Sequence, residues 1–121
     1  MNLGIVGSRN FHDYESFSKC VFKVLEQWSF KLKDISNIVS GGSSGADTLA
    51  ERFAKEHNLK TIIHLPDWNK NKRGAGVIRN TYIVNDSTHI IAFPSKVGKG
   101  TQDSIRKAEK KKIPIKILYI D

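Results

Sequence analysis

Residues 40–47 read SGGSSGAD, three glycines and three serines placed between the apolar run 35–39 and an amphipathic stretch that begins at Ala46. An ordinary strand-to-helix turn does not need that much backbone freedom, so the loop is expected to bring its main chain close to another group. Two further turns of this kind follow apolar runs, GSRNF at 7–11 and PSKVGKGT at 94–101. A chain that alternates apolar run, turn and amphipathic stretch in this way is confined to right-handed crossovers and a parallel sheet covered on both faces.

Periodicity fills in the elements. Continuous apolar runs at 3–6, 35–39, 61–63, 88–93 and 115–120 read as strands buried on both sides. Phe17, Val21, Val24, Leu25 and Trp28 recur at helical spacing behind Asp13, a suitable N-cap. Ala46, Leu49, Ala50, Phe53, Ala54 and His57 make the clearest stripe, and Asn58 suits the left-handed residue that ends such a helix. Shorter helices are expected over 75–85 and 101–112, whereas PDWNKNKRG at 66–74 reads as loop. The expected fold is α/β: one domain over 1–121, a Rossmann-like three-layer sandwich on a mainly parallel five-stranded sheet in the order 3-2-1-4-5. Winding then reverses between strands 1 and 4, and ligands bind beyond the carboxyl ends of strands at such a point. All three glycine-rich turns collect there.

Composition limits what can bind. With 39% hydrophobic and 26% charged residues in 121, the chain has the make-up of a folded soluble domain. No apolar run approaches the roughly 20 residues of a membrane span, and no leader pattern precedes the first strand, so a cytoplasmic location away from membranes is expected. The single cysteine, Cys20, excludes a disulfide framework and reads as a buried thiol. The net charge of +8 is concentrated late: residues 1–60 carry eight Lys/Arg against seven Asp/Glu, and residues 61–121 carry twelve against five. Such a field favours anionic partners, although Lys110, Lys111 and Lys112 also fit a helix C-terminus, where cations complement the dipole.

Glycines at the start of a helix expose outward-pointing N–H groups and so form an anion cradle. Gly41, Gly42, Ser43, Ser44 and Gly45 open one helix, and Gly98, Lys99, Gly100 and Thr101 open another. Arg9 and Arg79 add guanidinium forks that match phosphate geometry. Neither familiar nucleotide motif is present. A P-loop requires GxxxxGK[ST], but Lys99 is followed by Gly100, and GSRNFH replaces the GxGxxG dinucleotide fingerprint.

IVGSRNF, VSGGSSGADTLAERFA, RGAGVIRN and GKGTQD, in this order, resemble the SLOG superfamily of Rossmann-like domains, in particular its YspA/YpsA-related branch. The resemblance implies binding of a nucleotide or nucleotide-derived small molecule, ADP-ribose-like or cyclic-nucleotide-like messengers included, by a sensor or sequestering protein. It implies a ligand wall of Gly7, Ser8, Arg9, Gly41, Gly42, Gly45, Asp47, Arg79, Asn80, Gly100, Thr101 and Asp103. Ser43, Ser44, Gly98 and Trp68 join it from their places in the loops. No cofactor is implied.

Two alternatives follow from related families. LOG-type relatives are phosphoribohydrolases that cleave the N-glycosidic bond of nucleoside monophosphates and carry PGGxGTxxE; here the glutamate position is Ser104, which leaves Asp103, one residue early, and Asp47 as candidate catalytic carboxylates. The DNA-processing protein A family, which binds single-stranded DNA, is similar in IVGSR, the serine-glycine turn and the later RN pair. Phe11, Tyr14, Trp68 and Tyr82 are the available stacking residues for that reading. Trp68, in a polar loop, either stacks on a base or caps the core. His12, His57, His64 and His89 lack partners at ligand spacing, and His64 with Asp67 alone makes no metal site, so none is expected. Phe22 and Phe30, on the outer side of the first helix, are the candidates for a homodimer contact.

Overall fold

The computed structural model describes residues 1–96 and 98–120. Five parallel strands, β1 (Asn2–Gly7), β2 (Asn37–Ser40), β3 (Lys60–Ile63), β4 (His89–Phe93) and β5 (Ile115–Ile117), form one sheet in the order β3-β2-β1-β4-β5. The strand order matches the sequence expectation, and Gly7 lies opposite Phe93 at the end of the central β1–β4 pair. The helices are α1 (Tyr14–Gln27), α2 (Ala46–Glu56), α3 (Trp68–Asn71), α4 (Ala75–Asp86) and α5 (Gly100–Lys110).

Each central strand sends alternate residues to opposite layers, which is why its sequence is apolar without a break. Leu3, Ile5, Ile38, Ile91 and Phe93 meet Phe17, Val21, Leu25 and Phe53 of α1 and α2. Val6, Val39, Ile90 and Ala92 face the other way, onto Ile83, Val84, Ile105 and Ala108 of α4 and α5. Burying one such side chain contributes roughly 1.5–3 kcal/mol, so each layer is held by its own apolar cluster. Asp13 caps α1 by accepting from Ser16 N at 3.1 Å, and Asn58 takes φ 55° just past α2.

Residues 66–74 depart from the expected loop. Asp67 accepts from Lys70 N at 3.1 Å and starts the single turn α3, and a 3-10 turn at Lys72–Gly74 leads into α4. The second strand begins two residues later than the apolar run, because Leu32–Asp34 forms a 3-10 turn with Ile35 at its end. The fifth strand stops at Ile117 instead of 120. Leu118 N and Ile120 N still donate to Ala92 O and Pro94 O, at 2.8 and 3.1 Å, but Pro94 has no N–H to return, and the ladder lapses.

Candidate functional site

The turn after β1 is tied on both sides. Ser8 N donates to Phe93 O at the end of β4 (2.9 Å), and Ser8 O accepts from Ala46 N at the start of α2 (3.0 Å). This contact requires Gly45. Its φ is 76°, and a Cβ there would run into Ser8 O and the Arg9 backbone. One glycine of the serine-glycine loop therefore serves the close approach of two turns.

Between these turns and the start of α5 lies a cleft of about 320 Å³. Gly7, Ser8, Arg9 and Asn10 form one wall, Ser43, Asp47, Arg79 and Asn80 a second, and Ser95, Gly98, Lys99, Gly100, Thr101 and Ser104 a third, with Val6 and Ile83 beneath. Its position matches the crevice where the winding reverses, and its size is at the lower end of small-molecule sites.

Arg79 and Asn80, neighbours on α4, brace the walls. Arg79 Nη1 donates to Gly41 O at 2.7 Å and its Nε to Asn80 Oδ1 at 3.0 Å. Asn80 Nδ2 in turn donates to Gly100 O (3.3 Å) and Asp103 Oδ2 (3.2 Å). Burial pushes Arg79 below the usual guanidinium range; the Asp47 charge opposes this, and Arg9 adds to it. Two guanidinium groups thus repel each other at the edge of the cleft.

Asp47 is only 7% exposed, and its Oδ2 accepts from both the N–H (3.1 Å) and the hydroxyl (3.0 Å) of Ser43. Burial raises its pKa above 3.8, while the Ser43 bonds and the Arg79 charge pull it down. The fully buried Ser40 hydroxyl makes no hydrogen bond of normal geometry, yet it lies beside this carboxylate and favours its charged form. Against this one carboxylate the lining carries three cations, Arg9, Arg79 and Lys99. Among the described residues, the Arg9 and Lys99 side chains make no hydrogen bond or ion pair. Neither α2 nor α5 has a side-chain cap, in contrast to α1. The start of α2 is capped in part by Ser8 O, which takes Ala46 N, and neither helix N-terminus at the cleft has a side-chain acceptor.

Ten of the residues singled out in the sequence line this cleft: Gly7, Ser8, Arg9, Ser43, Asp47, Arg79, Asn80, Gly98, Gly100 and Thr101. Gly42, Ser44 and Trp68 line a neighbouring, shallower depression together with Leu65 and Pro66; it shares Arg9, Ser43 and Arg79 with the cleft. Gly41, Gly45 and Asp103 line neither. Gly41 holds Arg79, Gly45 holds the β1 turn, and Asp103 accepts from Lys107 Nζ at 2.8 Å on the flank of α5. Asn10, Ser95, Lys99 and Ser104 also line the cleft; three sit inside the glycine-rich turns, and Ser104 follows Thr101 by three residues on one helix face.

A family model described as the YspA, cpYpsA-related SLOG family (YAcAr) matches residues 2–71, from β1 through α3. The chain belongs to the YspA, cpYpsA-related SLOG family. This SLOG chain is 34% identical over 84 residues to the Gene 61 protein of Mycobacterium phage D29, covering 64% of this chain and 67% of that one. Its fold is similar to DNA processing protein A from Streptococcus pneumoniae, with TM-score 0.72, 21% identity and coverage of 96% of this chain and 49% of that one. DNA processing protein A from Helicobacter pylori gives TM-score 0.68 and 20% identity, over 97% of this chain and 64% of that one. The SLOG chain thus spans about half to two-thirds of these structural neighbours.

Of the other aromatic candidates, Phe11 is packed against Phe93, with ring centroids 5.2 Å apart, and Tyr14 donates to Glu56 Oε2 at 2.7 Å. Neither is a free stacking platform. Contrary to expectation, Phe30 lies beyond the end of α1, half-buried beside His89, and the partly exposed Phe22 packs its ring on Phe53 and His57, with centroids 5.5 Å apart in each case. His64 pairs with Asp86 at 2.6 Å instead of Asp67. Among the described residues, no helix is long and apolar enough to cross a membrane.

Proposed function

We propose that this SLOG domain binds a nucleotide or nucleotide-derived small molecule in the cleft between β1 and β4, as a sensor or sequestering protein. The observation that carries this reading is the meeting of turns from three distant segments around one cleft with a positive balance and two helix N-termini that have no side-chain cap. Phosphate supplies the missing acceptor for such N–H groups, and the guanidinium of Arg9 is free to pair with it. Hydroxyl and amide groups from Ser8, Asn10, Ser95 and Ser104 suit the hydroxyls of a ribose. Thermal unfolding with a panel of nucleotides, NAD and ADP-ribose tests the reading. A binder at 100 times its dissociation constant stabilises by about 2.7 kcal/mol. No shift with any of them sinks it.

Hydrolysis of an N-glycosidic bond is less well supported, because Asp103 is engaged by Lys107 and Asn80 outside the cleft, the buried residue at the LOG glutamate position is Ser104, and Asp47, the other candidate carboxylate, lines the cleft but already accepts two bonds from Ser43. A specific observation favours a second reading. The Helicobacter pylori neighbour is described as having a single-stranded DNA binding mode, and Trp68 and Tyr82 are 52% and 54% exposed on this chain. Single-stranded DNA binding with a steep salt dependence supports that reading over the first.

A further inference from the structure

The two outer strands of the sheet, β3 and β5, differ in what they leave open. Along β3 the N–H of His64 turns inward to Ser40 O, so Thr61 and Ile63 face outward, next to the exposed Lys60. A short edge that opens on a charged residue is guarded against pairing. The other edge is longer. Pro114 O, Leu118 N and Ile120 N pair with Ile90 N, Ala92 O and Pro94 O, so the even-numbered residues of 114–120 bond inward. The N–H and C=O groups of Ile115, Ile117 and Tyr119 therefore point outward, and among the described residues they have no partner. Leu118 and Ile120 pack toward α1 and α2, and Ile115 packs toward α4 and α5. By alternation Ile117 and Tyr119 share the face of Ile115, where they are 37% and 59% exposed.

We propose that β5, continued to Ile120, is the interface with a second copy of this chain, paired antiparallel about a two-fold axis at Ile117. Three outward residues spaced two apart are self-complementary under that operation. Ile117 exchanges both main-chain bonds with the partner's Ile117, and Ile115 exchanges both with the partner's Tyr119. The same register lays Ile117 on its counterpart and the Tyr119 ring beside a β-branched residue, a favourable cross-strand pair. On the other face Lys116 meets the partner's Leu118, so its stem has an apolar neighbour and no like charge lies directly opposite. Any extended peptide meets the same main-chain groups, but a second copy also brings the apolar pair that covers Ile117 and Tyr119. The two five-stranded sheets become one whose remaining edges are both the guarded β3, so association stops at the dimer. The clefts then open at opposite ends, and the pairing stands apart from the nucleotide reading.

Sedimentation velocity over roughly 5–500 µM tests the pairing, and a reversible dimer in the micromolar range is expected from so short an interface. Ile117→Lys sets like charges opposite each other at the axis and should be monomeric throughout, whereas Phe22→Lys, on α1, should leave the dimer intact. Register is read by oxidation in a Cys20→Ser background. Residues opposite each other in a hydrogen-bonded antiparallel pair have Cα atoms about 5.5 Å apart, within disulfide reach. Ile117→Cys should therefore form a covalent dimer, and Tyr119→Cys, which faces position 115 of the partner, should do so slower by about ten-fold or more. Wild-type protein that stays monomeric at the highest concentration overturns the proposal. So does a dimer that survives Ile117→Lys or is lost in Phe22→Lys, or one in which Tyr119→Cys oxidises as fast as Ile117→Cys. Should Ile117→Lys fail to fold, as its melting temperature shows, the two cysteine variants decide alone.

Discussion

At the scale of single residues, glycines in the loops divide into those the backbone needs and those the ligand region tolerates. Gly45 is needed. Its φ of 76° strains any L side chain, and a Cβ would meet the backbone of Ser8 and Arg9, which cannot rotate away. Gly45→Ala is expected to lower stability by about 1–3 kcal/mol from the dihedral alone, and further as the β1 turn shifts. Gly100 has nothing within 4 Å of the corresponding position, so Gly100→Ala should stay within about 1 kcal/mol of wild type. Urea unfolding of the pair checks this contrast, and equal losses would mean the turns are not in contact. Asp47 adds a pH dependence. Its folded pKa lies above 3.8, so the folded protein holds a proton that the unfolded chain releases, and stability falls as pH rises through that window. Asp47→Asn keeps an acceptor for Ser43 N–H and removes the slope. Its stability relative to wild type should therefore increase between about pH 4 and pH 7. Asp47→Ala, by contrast, orphans two Ser43 donors and should cost about 1–3 kcal/mol at either pH.

Among the elements, α4 connects the parts of the cleft. Through Arg79 it reaches the loop after β2, and through Asn80 it reaches the first residue of α5. Asn80→Ala removes bonds to Gly100, Asp103 and Arg79 together, and should weaken both folding, by about 1–3 kcal/mol, and nucleotide binding. Asp103→Asn should leave nucleotide affinity within two-fold, because that carboxylate faces Lys107 and the partly exposed pair contributes little. A large loss of affinity or of base release in Asp103→Asn, read by calorimetry and by chromatography of the free base, returns Asp103 to the site. These elements were unequally legible in the sequence. Strands covered on both faces write unbroken apolar runs, and α2 writes a stripe with Asn58 as its stop, so the layers could be read directly, whereas the strand order followed from the usual doubly wound arrangement. The bracing could not. The bond from Arg79 to Gly41 spans 38 residues and has no characteristic spacing. Asp103 lies one residue from the position whose face turns inward, and one residue is about 100° on a helix. The single turn at Trp68 depends on the Asp67 cap within an otherwise polar stretch, where composition favours loop.

On the scale of the whole molecule, the basic residues divide between the two edges of the sheet, and this bears on the test of the proposed anion site. In a parallel α/β sheet each helix runs back from the carboxyl edge, so α5 starts at the cleft and carries Lys107 and Lys110 in its last turn, toward the opposite edge. The Lys110–Lys112 run is therefore not part of the cleft lining, where three cations face one carboxylate. For a ligand confined to the cleft, no more than about three ionic contacts form, and a small anion lacks the condensed counterions of a polymer, so its affinity should depend only weakly on salt. Lys110→Glu combined with Lys112→Glu, remote from the cleft, should leave nucleotide affinity within two-fold in about 0.15 M salt, where charges beyond roughly 8 Å are screened. Single-stranded DNA following the wider basic surface behaves differently: its slope steepens with each phosphate contacted, and the double charge reversal reduces it. Fluorescence titration of labelled oligonucleotide and of nucleotide at a series of salt concentrations, on wild-type and doubly substituted protein, therefore decides between a local and a distributed anion site. A steep slope that falls on charge reversal rules out the local one.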